Sequence, residues 1–169
     1  MTRAFSLLAA LVLAGLLASA ASADKPIRFP IPGASLDFAA GDMCPFSVSI
    51  RTLQTKQFGI SFSNGVTVTH GQFVVSVTNN DAQLTRVFDL NGAVRITNLS
   101  PVVIQAATDG VTMSFFPRGA FGGNEDGSLI LTHGRTVEVD DFTNFPPLVD
   151  SFNVLSGSSE DLCQTMAAS

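Results

Sequence analysis

From Phe46 onward, apolar and polar residues change places at nearly every step. Phe46, Val48 and Ile50 alternate with Ser47, Ser49 and Arg51, the period of a strand with one buried face. Phe58, Ile60 and Phe62 repeat the pattern, followed by Val66 and Val68, then by Phe73, Val75 and Val77. Further strands are predicted over 84–90, 93–97, 102–106, 111–116, 129–132, 136–139 and 152–155. Turn chemistry separates these runs at Ser63-Asn64-Gly65, Asn79-Asn80-Asp81, Asn91-Gly92, Thr108-Asp109-Gly110 and Asp126-Gly127, where short polar side chains and glycine favour chain reversal. No stretch after Ala23 sustains a helical period.

The spacing of these short strands predicts an all-β domain, an antiparallel β-sandwich of about 9–11 strands, with an up-and-down β-barrel as the alternative. Asn91-Gly92 admits two readings. A type I′ hairpin there would set Asp89 opposite Val94 and Arg95 opposite Phe88, mixing polar and apolar on both faces. A glycine bulge would instead bend one continuing strand. Pro26, Pro30, Pro32 and Gly33 make residues 24–41 an extended lead-in. Two long loops are predicted over 117–127 and 140–150, and 156–159 reads as a linker.

The N-terminus has a different texture. Arg3 precedes an apolar run from Ala4 to Leu17, and Ala21-Ser22-Ala23 forms a small-x-small site before the polar Asp24. These are the parts of a secretory signal, cut between Ala23 and Asp24. The run is shorter than the roughly 20 residues of a spanning helix, so the expected organisation is a signal peptide over 1–23 and one β-sandwich domain over 24–169. The expected location is outside the cell, with no transmembrane segment after the signal is removed. Export favours disulfides, and two cysteines allow one intramolecular pairing, Cys44 with Cys163. That bridge would join the two ends of the domain.

Charge narrows the partners. Beyond the signal there are eight Lys and Arg against 14 Asp and Glu, dispersed without a run of either sign. Nucleic acid, which selects a concentrated basic face, is not an expected partner. The expected partner is extracellular or in the cell envelope.

The candidate chemistry is sparse. His70 and His133 sit in identical Thr-His-Gly triplets, which hints that two strand ends play similar structural parts. With Asp140 they would supply the donor types of a zinc site, but no close His-x-His spacing accompanies them. The favoured reading is two solvent-facing residues beside glycines. Gly123-Asn124-Glu125-Asp126-Gly127 lacks the spaced acids of an EF-hand loop and reads as a solvated turn. Asp140 and Asp141 are the acids considered for a glycosidase pair. No Gly-x-Ser-x-Gly elbow or phosphate-binding glycine loop occurs, and no catalytic residue, metal or cofactor is assigned. The chain has no Trp or Tyr, the usual sugar-stacking platforms. Its Phe115, Phe116, Phe121, Phe142 and Phe145 fall near or within the two predicted loops, as an exposed apolar patch or as a cap over one end of the sandwich.

Cys44-Pro45-Phe46, Val77-Thr78-Asn79, Gly134-Arg135 and Asp161-Leu162-Cys163 resemble motifs of a family of small exported bacterial proteins, mostly actinomycete, without assigned activity. The resemblance implies a β-sandwich with joined termini and brings no catalytic residue with it. The reading that follows is a secreted, non-catalytic protein binding its partner through a loop-rich end. The alternatives are a secreted hydrolase using the histidines with Asp140 or Asp141, and a small barrel holding an apolar ligand in a phenylalanine-lined interior.

Overall fold

The computed structural model describes residues 25–123, 125–143 and 147–167, and among them eleven strands form two antiparallel sheets. The expected signal peptide over 1–23 and its expected cut between Ala23 and Asp24 lie outside the described residues. Seven strands lie side by side in the first sheet. They are β1 (Ile27–Pro30), β4 (Phe58–Ser61), β5 (Val66–His70), β8 (Ala93–Asn98), β9 (Val103–Phe116), β10 (Ser128–Asp141) and β11 (Leu148–Asp161), in that order. The second sheet runs β2 (Ser35–Phe38), β3 (Val48–Thr55), β6 (Phe73–Asn79), β7 (Leu84–Leu90). Both sheets are open, so the fold is a sandwich and not a barrel.

The alternation places the core where the pattern predicts. Val48 and Ile50 of β3, Val75 and Val77 of β6, and Leu129 and Leu131 of β10 are buried in one cluster between the sheets. Each such side chain contributes about 1.5–3 kcal/mol on burial. The cluster closes around the disulfide. Cys44 and Cys163 are bonded, with Cα atoms 5.1 Å apart at a sequence separation of 119. Cys163 lies in a single helical turn, α1 (Leu162–Thr165), capped by the Asp161 carboxylate accepting from the Cys163 N–H at 2.9 Å. Buried Asn79 donates to the Met166 carbonyl at 2.8 Å and accepts from the N–H groups of Asp81 and Ala82. An Arg86–Glu160 ion pair bridges from β7 to β11 outside this core.

Several predicted breaks are not breaks. Thr108-Asp109-Gly110 lies inside β9, and 156–159 lies inside β11 rather than in a linker. The strands β9, β10 and β11 are each 14 residues long. Gly110, Gly134 and Gly157 pair directly across them, with φ of +107°, +136° and +91°, a region that only glycine occupies without strain. The glycines bend the strands instead of reversing the chain. In a straight strand Thr108 and Thr112 would stand about 13 Å apart, yet their hydroxyls are 3.3 Å apart. The sheet therefore folds on itself along the glycine row, and its two arms face each other.

The lead-in also becomes structure, since β1 and β2 form one edge of each sheet. Asn91-Gly92 is not a hairpin: β7 pairs with β6, and β8 pairs with β5 and β9. The chain passes there from the small sheet to the large one, closest to the bending-strand alternative. The first loop falls between β9 and β10 as predicted, whereas the second is shorter than predicted, because β10 runs to Asp141 and β11 starts at Leu148.

Candidate functional site

Where the chain crosses between sheets, the core does not close. A cavity of about 280 Å³ lies between them. Ile50, Val75 and Leu90 are its buried walls, with Phe73, Val111 and Met113 packed beside them. Leu36 and Phe115, 40 % and 38 % exposed, stand at its mouth. Gly92 keeps the space near the crossing, since a side chain there would run into the Thr112 methyl group and the Val111 carbonyl.

The cavity is chemically simple. None of its lining residues carries a charge. Thr112 directs its hydroxyl to Thr132 (2.8 Å) and Thr108 (3.3 Å) while its methyl lies against Gly92. Those residues, with Thr136, form a buried hydroxyl chain at the fold of the sheet. Thr52 accepts from the Ala34 N–H at 3.0 Å and donates to the Ala34 carbonyl at 2.9 Å. Gln57 also lines the cavity. Its backbone is bound, the N–H to Thr55 and the carbonyl to Ile31. Its side-chain amide is the lining's uncommitted polar group among the described residues.

A second feature lies within the fold of the large sheet. Glu138 and Asp140 share one face of β10 and look into the angle between the arms. Ser114, from the opposite arm, donates to Glu138 Oε2 at 3.2 Å. Burial, then the charge of Asp140, pushes the Glu138 carboxyl up to about 7. Burial also raises Asp140, with the charge of Asp150 adding to it. Asp140 and Asp141, the acids considered for a glycosidase pair, are adjacent strand residues and point to opposite faces. Asp141 instead accepts from the Thr143 N–H at 2.7 Å and from its hydroxyl, which hold its carboxyl below the ordinary range. Sequence reasoning passes over Glu138, although acids two apart on a regular strand share a face.

The histidines are not brought together. His70 stands on β5 and His133 on β10, with β8 and β9 between them in the sheet. No group of three or more His, Cys, Asp or Glu among the described residues could hold a metal ion. His70 packs edge-on against Phe58. His133 lines a groove with Arg86 and Glu160. The twin triplets share their glycine geometry, since Gly71 and Gly134 both have positive φ. Only the first lies at a strand end.

The 117–127 loop binds itself. The Glu125 carboxylate accepts from the Phe121 N–H at 2.7 Å, and Arg118 pairs with Asp126 at 3.4 Å on the surface. Phe116 is buried against Phe121 and Phe152, with ring centroids 5.2 and 5.0 Å apart. Phe121 and Phe142 are each 49 % exposed; Phe145 lies outside the described residues. The Val149 N–H donates to the Ala120 carbonyl at 2.7 Å, so the folded sheet brings the 117–127 loop against the start of β11.

Compared with protein-family models, curated proteins and solved structures, the chain finds no match in any of the three. Fold and cavity therefore define it on their own terms, as a disulfide-closed antiparallel β-sandwich with an apolar cavity between its sheets.

Proposed function

We propose that the chain is an exported binding protein that holds a small apolar ligand between its sheets. The observation that carries this reading is the cavity of about 280 Å³. Its walls are aliphatic and phenylalanine side chains, and its mouth opens between Leu36 and Phe115. An apolar cleft with a few placed polar groups is the usual form of a small-molecule site. The cavity supports an apolar-ligand reading, in a sandwich and not in the phenylalanine-lined barrel of the sequence's alternative. Export rests on the N-terminal signal pattern, and the disulfide and the absence of a long apolar helix among the described residues are compatible with it.

The test is binding of an environment-sensitive apolar dye, N-phenylnaphthylamine, to residues 24–169. Val94→Trp fills the cavity wall, while Val87→Trp alters a 58 % exposed position on β7. Dye enhancement should vanish in the first variant and persist in the second. Equal enhancement in both would remove the cavity as the site. N-terminal sequencing of the protein recovered from culture medium should begin at Asp24.

A second reading keeps the loop-rich end as the contact for an envelope partner. It is favoured by the exposure of Phe121 and Phe142 in the two loops. Loss of envelope-fraction binding in Phe121→Ser with Phe142→Ser, dye binding being unchanged, would select it.

A further inference from the structure

We infer that the preferred occupant is a neutral hydrocarbon-rich molecule carrying one oxygen function, such as a medium-chain alcohol, ketone or lactone, and not the carboxylate of equal length. This rests on the reading of the cavity as the binding site and adds ligand size, charge and polarity.

Size comes from volume. An apolar cavity of about 150 Å³ takes benzene, with six carbons. A cavity of about 280 Å³ scales to about eleven non-hydrogen atoms, the size of 1-decanol. Charge comes from the lining, where no Lys, Arg or His stands to receive an anion and no Asp or Glu to receive a cation. An ion drawn into such a wall loses its water without gaining a partner.

Polarity comes from bookkeeping of the three hydrogen-bonding side chains. Thr52 is satisfied by the Ala34 backbone as both donor and acceptor. Thr112 spends its hydroxyl on Thr108 and Thr132. Gln57 alone keeps its amide for a guest, and it sits in the β3–β4 connection beside the lead-in. An amide both donates and accepts, so it serves a hydroxyl or a carbonyl oxygen and gives neither preference. The ligand's hydrocarbon part then lies against Ile50, Val75 and Leu90, and its oxygen points to Gln57.

The experiment follows methyl resonances of the disulfide-intact protein (residues 24–169) during titration with 1-decanol, butylbenzene and decanoate at pH 8. Hexanol and hexadecanol test length. The expected result is saturable shifts of the Ile50, Val75 and Val94 methyls with 1-decanol and butylbenzene. Decanoate should bind at least about tenfold more weakly, and both other alcohols more weakly than decanol. Gln57→Leu should weaken 1-decanol by roughly two- to tenfold and leave butylbenzene unchanged, which also certifies that the variant is folded.

Decanoate binding as tightly as decanol would overturn the neutral-ligand assignment while the cavity reading stood. Hexadecanol binding tighter than decanol would overturn the size. An equal effect of Gln57→Leu on decanol and butylbenzene would overturn the role of the amide. If no compound shifts the cavity methyls, the cavity reading itself falls and takes the inference with it.

Discussion

Replacing Glu138 by Gln should make the protein more stable at neutral pH and change its stability little in acid. The Glu138 carboxyl stands at about 7 in the folded protein against an ordinary 4.5, raised first by burial between the arms of the large sheet. Below pH 4.5 it is protonated in both the folded and unfolded chains, and its favourable contribution is complete. Between 4.5 and 7 the unfolded chain releases the proton while the folded chain retains it, so unfolding becomes progressively easier. Above 7 the folded site must carry the charge, and the loss is complete. At about 1.36 kcal/mol per pH unit, that interval corresponds to about 3 kcal/mol.

The amide introduced by Glu138→Gln keeps an oxygen for the Ser114 hydroxyl and has no proton to lose, so the variant escapes this penalty. Asp37, Asp141 and Glu160, whose carboxyls are held below their ordinary values, oppose acid equally in both proteins and cancel in the comparison. The assay is urea unfolding at intervals from about pH 4 to about pH 8.5, a range that brackets the transition. It is followed by circular dichroism, because the chain has no Trp or Tyr to report by fluorescence. The stability of the Glu138→Gln variant minus that of the wild type should grow by about 3 kcal/mol across the window between the two carboxyl values and stay level above it. Two curves that remain parallel across that window would show that Glu138 ionises normally, and the folding of the sheet around it would be refuted.

Two further expectations concern the architecture. Replacing both Cys44 and Cys163 by Ala opens a loop of 119 residues and should cost about 5 kcal/mol in the chain-entropy account, measured as a fall in the urea midpoint; a loss under about 1 kcal/mol would mean the bridge closes ends already held by packing. Gly134→Ala should cost more than about 2 kcal/mol, because φ is +136° and the new methyl strikes the Ser156 carbonyl. Gly41→Ala, with positive φ but open space around it, should cost about 1 kcal/mol, and equal costs at the two sites would contradict the tight crossing of β10 and β11.

Much of the class was legible in the sequence because it depends on local chemistry. Alternation in 46–51 and 73–77 specified which faces are buried, and Val48, Ile50, Val75 and Val77 line the core accordingly. The pairing of Cys44 with Cys163 followed from the parity of two cysteines and the expectation of export. What misled was glycine. Gly110, Gly134 and Gly157 carry the same conformational freedom whether a chain turns back or a strand bends. Residue type alone does not separate these outcomes; only the partner strand does, by continuing its hydrogen bonds past the glycine. The second loop is shorter than its sequence suggests for a related reason, since Asp140, Asp141 and Asp150 look like loop residues until pairing extends β10 and β11 over them.

The sequence by itself determined an all-β chain, its buried faces, its disulfide and the 117–127 loop, all encoded in residue types and in neighbours a few positions apart. Only the tertiary structure decided that the large sheet folds along a row of glycines and raises Glu138 between its arms. It alone decided that the sheets part at the Gly92 crossing to leave a cavity beside Gln57. Those features depend on residues far apart in the chain and on the volume left when two sheets pack, neither of which a one-dimensional pattern records.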